Sequence, residues 1–284
     1  MSGKRLKKLL DEKKTLVFPG TFNPFTAKLI ESEGFDGIYI SGAALTNSLG
    51  VPDDGSLSLD DFVYAAKWIC KAVGVPVICD ADTGFGNISG TVKKYIESGL
   101  AGMHIEDQVF PKRCGHLSGK EVIPQEEMIE KIKEATCSRD ETDRDFLIIA
   151  RTDARGAQNI DEKNQLDESI KRGNSYLEAG ADMIFPESLK SIEEFKIYRN
   201  AVPGLLLANM TEFGKTPFIS YREFENIGYN LVIFPVSLFR FSAGRMREAL
   251  KVIKKDGNQE NLTIGMMTRK KINDLINYNP KQED

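Results

Sequence analysis

Gly102-Met-His-Ile-Glu-Asp-Gln-Val-Phe-Pro-Lys-Arg-Cys-Gly-His-Leu-Ser-Gly-Lys120 holds the pattern from which the fold is read. It opens as a short apolar strand, reaches carboxylates at Glu106 and Asp107, and runs into a loop. In that loop Cys114 stands among Lys112, Arg113 and His116. Positive neighbours favour the thiolate, so this thiol is expected to ionise more readily than an ordinary cysteine. A basic surface loop with an incidental cysteine is the plainer reading, and the rest of the chain has to decide between them.

The same unit, a brief apolar run ending on polar residues, recurs along the chain. Strands are predicted at residues 15–18, 37–41, 76–80, 102–106, 146–151, 182–185, 205–208 and 231–235. Short, nearly continuous apolar runs are the mark of parallel strands buried on both faces. Helical runs separate them. Ser58 with Asp61, Ser191 with Glu194 and Ser220 with Glu223 have the spacing of a capping box or its acidic variant. The helix after Ser58 sets Phe62, Val63, Ala66, Cys70 and Val73 on one face, and Gly74 ends it. Gly34, Gly99, Gly180 and Gly228 likewise close helical runs just before a strand.

Eight alternating units without a compositional break predict an α/β protein with one (β/α)8 TIM-type barrel domain over residues 1–284. An N-terminal helix over 3–13 and a helical extension from about residue 260 complete it. No glycine-rich dinucleotide or phosphate loop follows any strand, which argues against a nucleotide-binding sheet. A net charge of −4, with no basic blocks interleaved with aromatics, argues against nucleic acid as the main partner. No apolar run suits a leader peptide or a membrane span, so a cytoplasmic protein is expected. Cys70, Cys79, Cys114 and Cys137 are widely spaced, which suggests neither a disulfide framework nor a zinc site. Cys70 and Cys79 read as core residues and Cys137 as a surface residue near a helix end.

In such a barrel the active site lies at the C-terminal strand ends. Here those ends carry Tyr39-Ile-Ser41-Gly42, Asp80-Ala-Asp82, Glu106-Asp107, Arg151-Thr-Asp153, Phe185-Pro-Glu187 and Asn209-Met-Thr211, with Arg240 after the last strand. Asp80 and Asp82 are two residues apart, so in extended backbone they project to one face. With Glu106 they form an all-oxygen set suited to Mg2+ or Mn2+ rather than zinc. Helix capping or ion pairing with Arg151 is the alternative use of these carboxylates. His104 points the same way as Glu106, one layer deeper, and reads as an interior histidine supporting the cluster. Arg151, Arg240, Lys112 and Arg113 are candidate anchors for a small polyanion such as a di- or tricarboxylate. Glu187, Asn209 and Thr211 complete the hydrogen bonding.

Lys112-Arg-Cys-Gly-His116 resembles the signature pentapeptide of the isocitrate lyase / phosphoenolpyruvate mutase superfamily. Asp80–Gly86, His104–Gln108, Ala150–Asp153 and Asn209–Gly214 resemble its other motifs in the same order. The resemblance runs from about Ile38 to about Arg269 and is closest to the superfamily's 2-methylisocitrate lyases. It implies Mg2+-dependent cleavage of 2-methylisocitrate to pyruvate and succinate, a step of the 2-methylcitrate cycle of propionate catabolism. It further implies that Asp80 and Asp82 hold the metal, Mg2+ or Mn2+, with Glu106 and Asp53 in support. By the same resemblance Ser41, Gly42, Arg151 and Glu187 bind the pyruvate half. Asn209, Thr211, Arg240, Gly115 and His116 bind the succinate half, with Arg269 a further contact. Tyr39 is implied as the base for the substrate hydroxyl and Cys114 as the proton donor to the departing succinate carbon. A homotetramer, with a C-terminal helix packed on a neighbouring subunit, is implied as well.

Phe185, Ile233 and Pro235 match the lyases that act on methylated substrates. Lyases for 2,3-dimethylmalate or other 2-alkylmalates, isocitrate lyases and oxaloacetate hydrolases are the rival activities. A catalytically silent dicarboxylate-binding barrel is the non-enzyme alternative. One departure stands out: Thr21-Phe-Asn-Pro-Phe25 replaces the smaller residues usual after the first strand and stands near the mouth, where its effect on the pocket is left open by the sequence.

Overall fold

In the computed structural model, which describes residues 2–112 and 119–279, eight strands pair in parallel and in chain order. They are β1 (Leu16–Thr21), β2 (Ile38–Ile40), β3 (Val77–Asp80), β4 (Gly102–Glu106), β5 (Leu147–Thr152), β6 (Met183–Pro186), β7 (Leu205–Asn209) and β8 (Leu231–Phe234). β8 returns to β1, with Leu16 opposite Leu231 and Phe18 opposite Ile233, so the sheet closes. The helices begin with α1 (Ser2–Glu12), α2 (Pro24–Ser32), α3 (Gly42–Ser48), α4 (Leu59–Ala72), α5 (Ile88–Glu97) and α6 (Gln125–Thr142). They continue with α7 (Gln165–Glu178), α8 (Ile192–Ala201), α9 (Tyr221–Ile227), α10 (Ser237–Asp256) and α11 (Arg269–Leu275). The expected (β/α)8 barrel is therefore present, with α1 beneath it.

Two shells of apolar side chains hold it. Phe18, Tyr39, Ile78, Leu147, Ile149, Phe185, Leu207 and Ile233 fill the barrel interior, and Leu6 and Leu10 of α1 close it from below. A larger cluster fills the layer between strands and helices. α1 lies close because Gly3 has no Cβ: one built there would stand 2.3 Å from the Asp145 carbonyl oxygen.

Several boundaries differ from the sequence reading. β1 continues through Pro19 and Gly20 to Thr21, since Gly20 lets the strand pass within reach of Pro235. β2 stops at Ile40, and Ser41 turns out to cap α3 by accepting from the Ala44 N–H at 3.2 Å. Capping boxes form at Ser58/Asp61 and Ser220/Glu223. At Ser191 only half of one forms: its hydroxyl accepts from the Glu194 N–H, but the Glu194 carboxylate is taken by Arg155 and by the Lys190 N–H. On α4 the fully buried stripe is Phe62, Val63, Ala66 and Ile69. Cys70 and Val73 sit at its margin, half-buried.

α10 departs from the pattern of a core-facing helix. It is 20 residues long and none of them is buried, although Leu238, Phe241, Met246, Leu250 and Ile253 are apolar. Neither does any buried residue occur in α11. Among the described residues no helix is long and apolar enough to cross a membrane.

Between α8, α9 and β8 the rings of Phe195, Phe224 and Tyr229 meet edge to face, with centroids 4.9 to 5.4 Å apart. Phe224 is fully buried. Phe224→Ala is expected to lower stability by about 3–5 kcal/mol in urea unfolding. A loss below about 1 kcal/mol would show that this cluster does not tie the helices to the barrel.

Candidate active site

Tyr39, Ser41, Asp53, Asp80, Glu106, Lys112, Arg151, Glu187, Asn209, Thr211 and Arg240 line one cleft at the C-terminal ends of the strands. The cleft is open to solvent. Phe185, Ile233 and Pro235 form its apolar wall. Arg269 is exposed on α11 and does not line it. The expected site residues Cys114, Gly115 and His116, with Arg113, lie outside the described residues.

Arg151 stands at the centre. Its Nε and Nη2 donate to both oxygens of Asp153, at 2.8 and 3.1 Å. Nη1 lies 3.2 Å from Glu106 Oε2, Nη2 lies 3.5 Å from Glu187 Oε2, and the guanidinium covers the Phe185 ring at 5.1 Å. Burial disfavours its charge, but Asp153, Glu106 and Glu187 more than offset that and raise its pKa well above the usual arginine value. Asp153 is itself a hub. Its N–H donates to Asp107 Oδ1 at 2.8 Å, and Asp107 Oδ2 is held by Arg172 (3.0 Å) and by the Tyr176 hydroxyl (2.8 Å). Asp153 stands just past the end of β5 and is not among the residues assigned to the site from sequence. Arg172 and Tyr176, on α7, carry no local signal that would place them here.

The predicted cation site is built differently from its sequence reading. β3 ends at Asp80, and Asp82 has a left-handed backbone with φ of +46°. The two carboxylates therefore do not share a strand face; instead the Asp82 N–H folds back to donate to Asp80 Oδ1 at 2.9 Å. Lys112, expected as a substrate anchor, is used within the protein: its ammonium pairs with Asp82 and lies 2.7 Å from Asp53. Among the described residues no three carboxylate, imidazole or thiol groups stand together as a metal cage.

The donor set nevertheless fits a hard cation. Mg2+ keeps several waters and needs only one or two carboxylates from the protein. Asp80 is kept below the usual carboxylate range although burial opposes it, because the cations Lys112 and Arg151 and the Asp82 N–H favour its charged form. Asp82, by contrast, is pushed up to about 7 by burial, which Lys112 only partly offsets. Burial raises Glu106 well above its ordinary range, and its Oε1 is buried without a hydrogen-bond partner among the described residues. Carboxylates that ionise this reluctantly call for further positive charge.

His104 is completely buried beneath this set. Its Nε2 shares a 2.8 Å hydrogen bond with the Tyr39 hydroxyl and lies 3.6 Å from Asp80 Oδ1. Burial pushes its pKa down to about 4, so at neutral pH the ring is uncharged and the fixed cations govern Asp80. Burial, and then the charge of Asp80, hold the Tyr39 phenol well above 10, so it is protonated here.

On the opposite side Arg240 Nη1 donates to Thr211 Oγ1 at 3.1 Å and to the Glu212 carbonyl at 2.6 Å. Asn209 Nδ2 donates to Glu187 Oε2 at 3.1 Å. Neither Phe22 nor Phe25 lines the cleft. Phe22 packs edge-on against Phe239 of α10 at 5.3 Å, and Phe25 is exposed on α2, which Asn23 caps.

Gly42 belongs to the site through the space it leaves. A Cβ there would stand 2.4 Å from Asp80 Oδ2. Gly42→Ala is expected to displace that carboxylate and weaken Mn2+ binding at least about tenfold in calorimetry, with the fold intact. Unchanged affinity would remove Asp80 from the cation site.

A family model described as phosphoenolpyruvate phosphomutase matches residues 6–254. The chain is 45% identical over 276 residues to 2-methylisocitrate lyase of Aeropyrum pernix, covering 96% of this chain and 86% of that one. It is 42% identical over 276 residues to 2,3-dimethylmalate lyase of Eubacterium barkeri, covering 96% and 93%. Among solved structures it is similar to a phosphonopyruvate hydrolase in complex with oxalate and Mg2+, with a TM-score of 0.85, 30% identity and coverage of 97% and 94%. A closed eight-stranded barrel, a polar cleft at its C-terminal rim and likenesses of this extent lead to one assignment: the chain belongs to the phosphoenolpyruvate mutase/isocitrate lyase family.

Proposed function

We propose that the chain is a Mg2+-dependent carbon–carbon lyase that cleaves 2-methylisocitrate to pyruvate and succinate in the 2-methylcitrate cycle of the cytoplasm. The observation that carries this reading is the cleft itself. Its lining brings together the cations Arg151 and Arg240, the carboxylates Asp53, Asp80, Glu106 and Glu187, and the apolar residues Phe185, Ile233 and Pro235, which supports a site for a polyanion with a cation. A substrate with carboxylates at both ends and a methyl group at its middle complements these features.

Asp80 and Asp82 would hold Mg2+, with Asp53 and Glu106 supporting them. Bound there, the ion supplies Lewis-acid stabilisation of charge on the oxygens of the pyruvate half. Ser41, Gly42, Arg151 and Glu187 orient that half, while Asn209, Thr211 and Arg240, with Gly115 and His116, orient the succinate half. Tyr39 takes the proton of the substrate hydroxyl as it passes its own to His104, 2.8 Å away. As that hydroxyl becomes the oxo group of pyruvate, the carbon–carbon bond breaks and its electron pair passes to the succinate carbon. Cys114 then gives that carbon a proton.

Incubation with 2-methylisocitrate and Mg2+, with pyruvate followed through a coupled dehydrogenase, tests the reaction. Pyruvate formation abolished by EDTA is expected, and none above the EDTA control would overturn the lyase reading. Loss of a general acid typically costs about 10²–10⁴ in rate, and Cys114→Ser is expected to lose kcat within that range. Turnover like that of the wild type would remove Cys114 from the chemistry. A second substrate, 2,3-dimethylmalate, is favoured by the 42% identity to a lyase of that name. One methyl group is worth only about 1–3 kcal/mol in discrimination, so comparing kcat/KM for the two acids decides between them.

The same reading includes a homotetramer. Its support is α10, where the apolar residues Phe241, Leu250 and Ile253 are exposed among the described residues. Light scattering should give a mass roughly four times that of one chain, and Phe241→Glu with Leu250→Glu should reduce it. A wild-type monomer would contradict the assembly.

A further inference from the structure

Lys120 is among the largest fully buried side chains, 1% exposed, and nothing above gives it a task. Its ammonium meets Asp153 Oδ1 at 2.9 Å and Ser188 Oγ at 3.5 Å. Its backbone carbonyl accepts from the Gln158 N–H at 2.8 Å, and its stem passes beneath Gly156, where a Cβ would stand 3.5 Å from Lys120 Cε. Burying an ammonium is costly even when it is paired. A lysine placed here therefore has to be explained by the carboxylate that it meets.

That carboxylate is the one that grips Arg151 with both oxygens. Three carboxylates, Asp153, Glu106 and Glu187, approach the Arg151 guanidinium. If Arg151 alone had to balance Asp153, little of its positive charge would be left for an anion in the cleft. Lys120 supplies a second cation to Asp153 from the side away from the cleft. The backbone of Asp153 is fixed as well, its N–H donating to Asp107 Oδ1 at 2.8 Å.

We infer that Lys120 is a positioning residue for Arg151, acting through Asp153 to fix the guanidinium and leave its charge available to a substrate carboxylate. The inference rests on the reading of Arg151 as the anchor of the pyruvate half.

The test compares wild type, Lys120→Met and the double variant Lys120→Met/Asp153→Asn in the pyruvate assay. Lys120→Met is expected to raise KM about tenfold or more, since Arg151 then balances Asp153 alone. The double variant removes that burden, so its KM should return at least halfway, on a logarithmic scale, towards wild type. A merely structural lysine would lower the thermal midpoint without this rescue. An unchanged KM in folded Lys120→Met, or a double variant no better than the single one, overturns the inference. Should Lys120→Met not fold, Lys120→Gln keeps a hydrogen bond to Asp153 without the charge and must show the same rise in KM. An inactive wild type would instead overturn the lyase reading, and this inference with it.

Discussion

A guanidinium buried among three carboxylates is the constraint to which the mouth of this barrel adjusts. Arg151 is only 8% exposed, yet Asp153, Glu106 and Glu187 all lie within 3.5 Å of its nitrogens. In a low-dielectric interior such an arrangement persists only if every charge has a partner or is neutralised, a carboxylate by taking up a proton. Asp153 finds a second cation in Lys120. Glu106 is driven towards its neutral form by burial. At the neighbouring strand end Lys112 pairs with Asp53 and Asp82. The site thus gathers more carboxylates than cations among the described residues, an excess that a divalent cation would offset.

The barrel gives that excess its geometry. Parallel strands in chain order bring β3, β4 and β5 side by side, with Asp80 opposite His104 and Glu106 opposite Arg151. Rigidity comes from outside the cleft. Arg172 and Tyr176 on α7 hold Asp107, which holds the backbone of Asp153. Below, His104 is wedged between Tyr39 and Phe185, with ring centroids 5.7 and 5.4 Å away. Polar chemistry at the rim therefore rests on a dry, packed floor.

The barrel was legible in the sequence because parallel strands buried on both faces leave short, nearly continuous apolar runs. The clustering of Tyr39, Asp80, Glu106, Arg151, Glu187, Asn209 and Arg240 was legible because all stand at the C-terminal end of such a run or just beyond one. The stance of each side chain was not. Asp82 appears to share a face with Asp80 only if the backbone stays extended, and the turn at φ +46° breaks that assumption. Lys112 reads as a free cation until the fold brings Asp53, 59 residues away, within 2.7 Å. Lys120, Arg172 and Tyr176 are partners by topology alone. Phe22 and Phe25 look like mouth residues from their position after β1, but one packs on α10 and the other lies exposed on α2.

In the proposed reading Arg151 is the pivot of substrate recognition, and its fork of donors, not its charge alone, is what the neighbouring carboxylates hold in place. Lysine keeps the charge but replaces the fixed fork with a single point. The most direct measurement is calorimetric binding of oxalate, a two-carboxylate ion matching the polar end of pyruvate, to wild type and Arg151→Lys in the presence of Mg2+. Affinity should fall at least about tenfold in the lysine variant, with its fold intact. Binding within about threefold of wild type would contradict the account, because charge without the fork would then suffice.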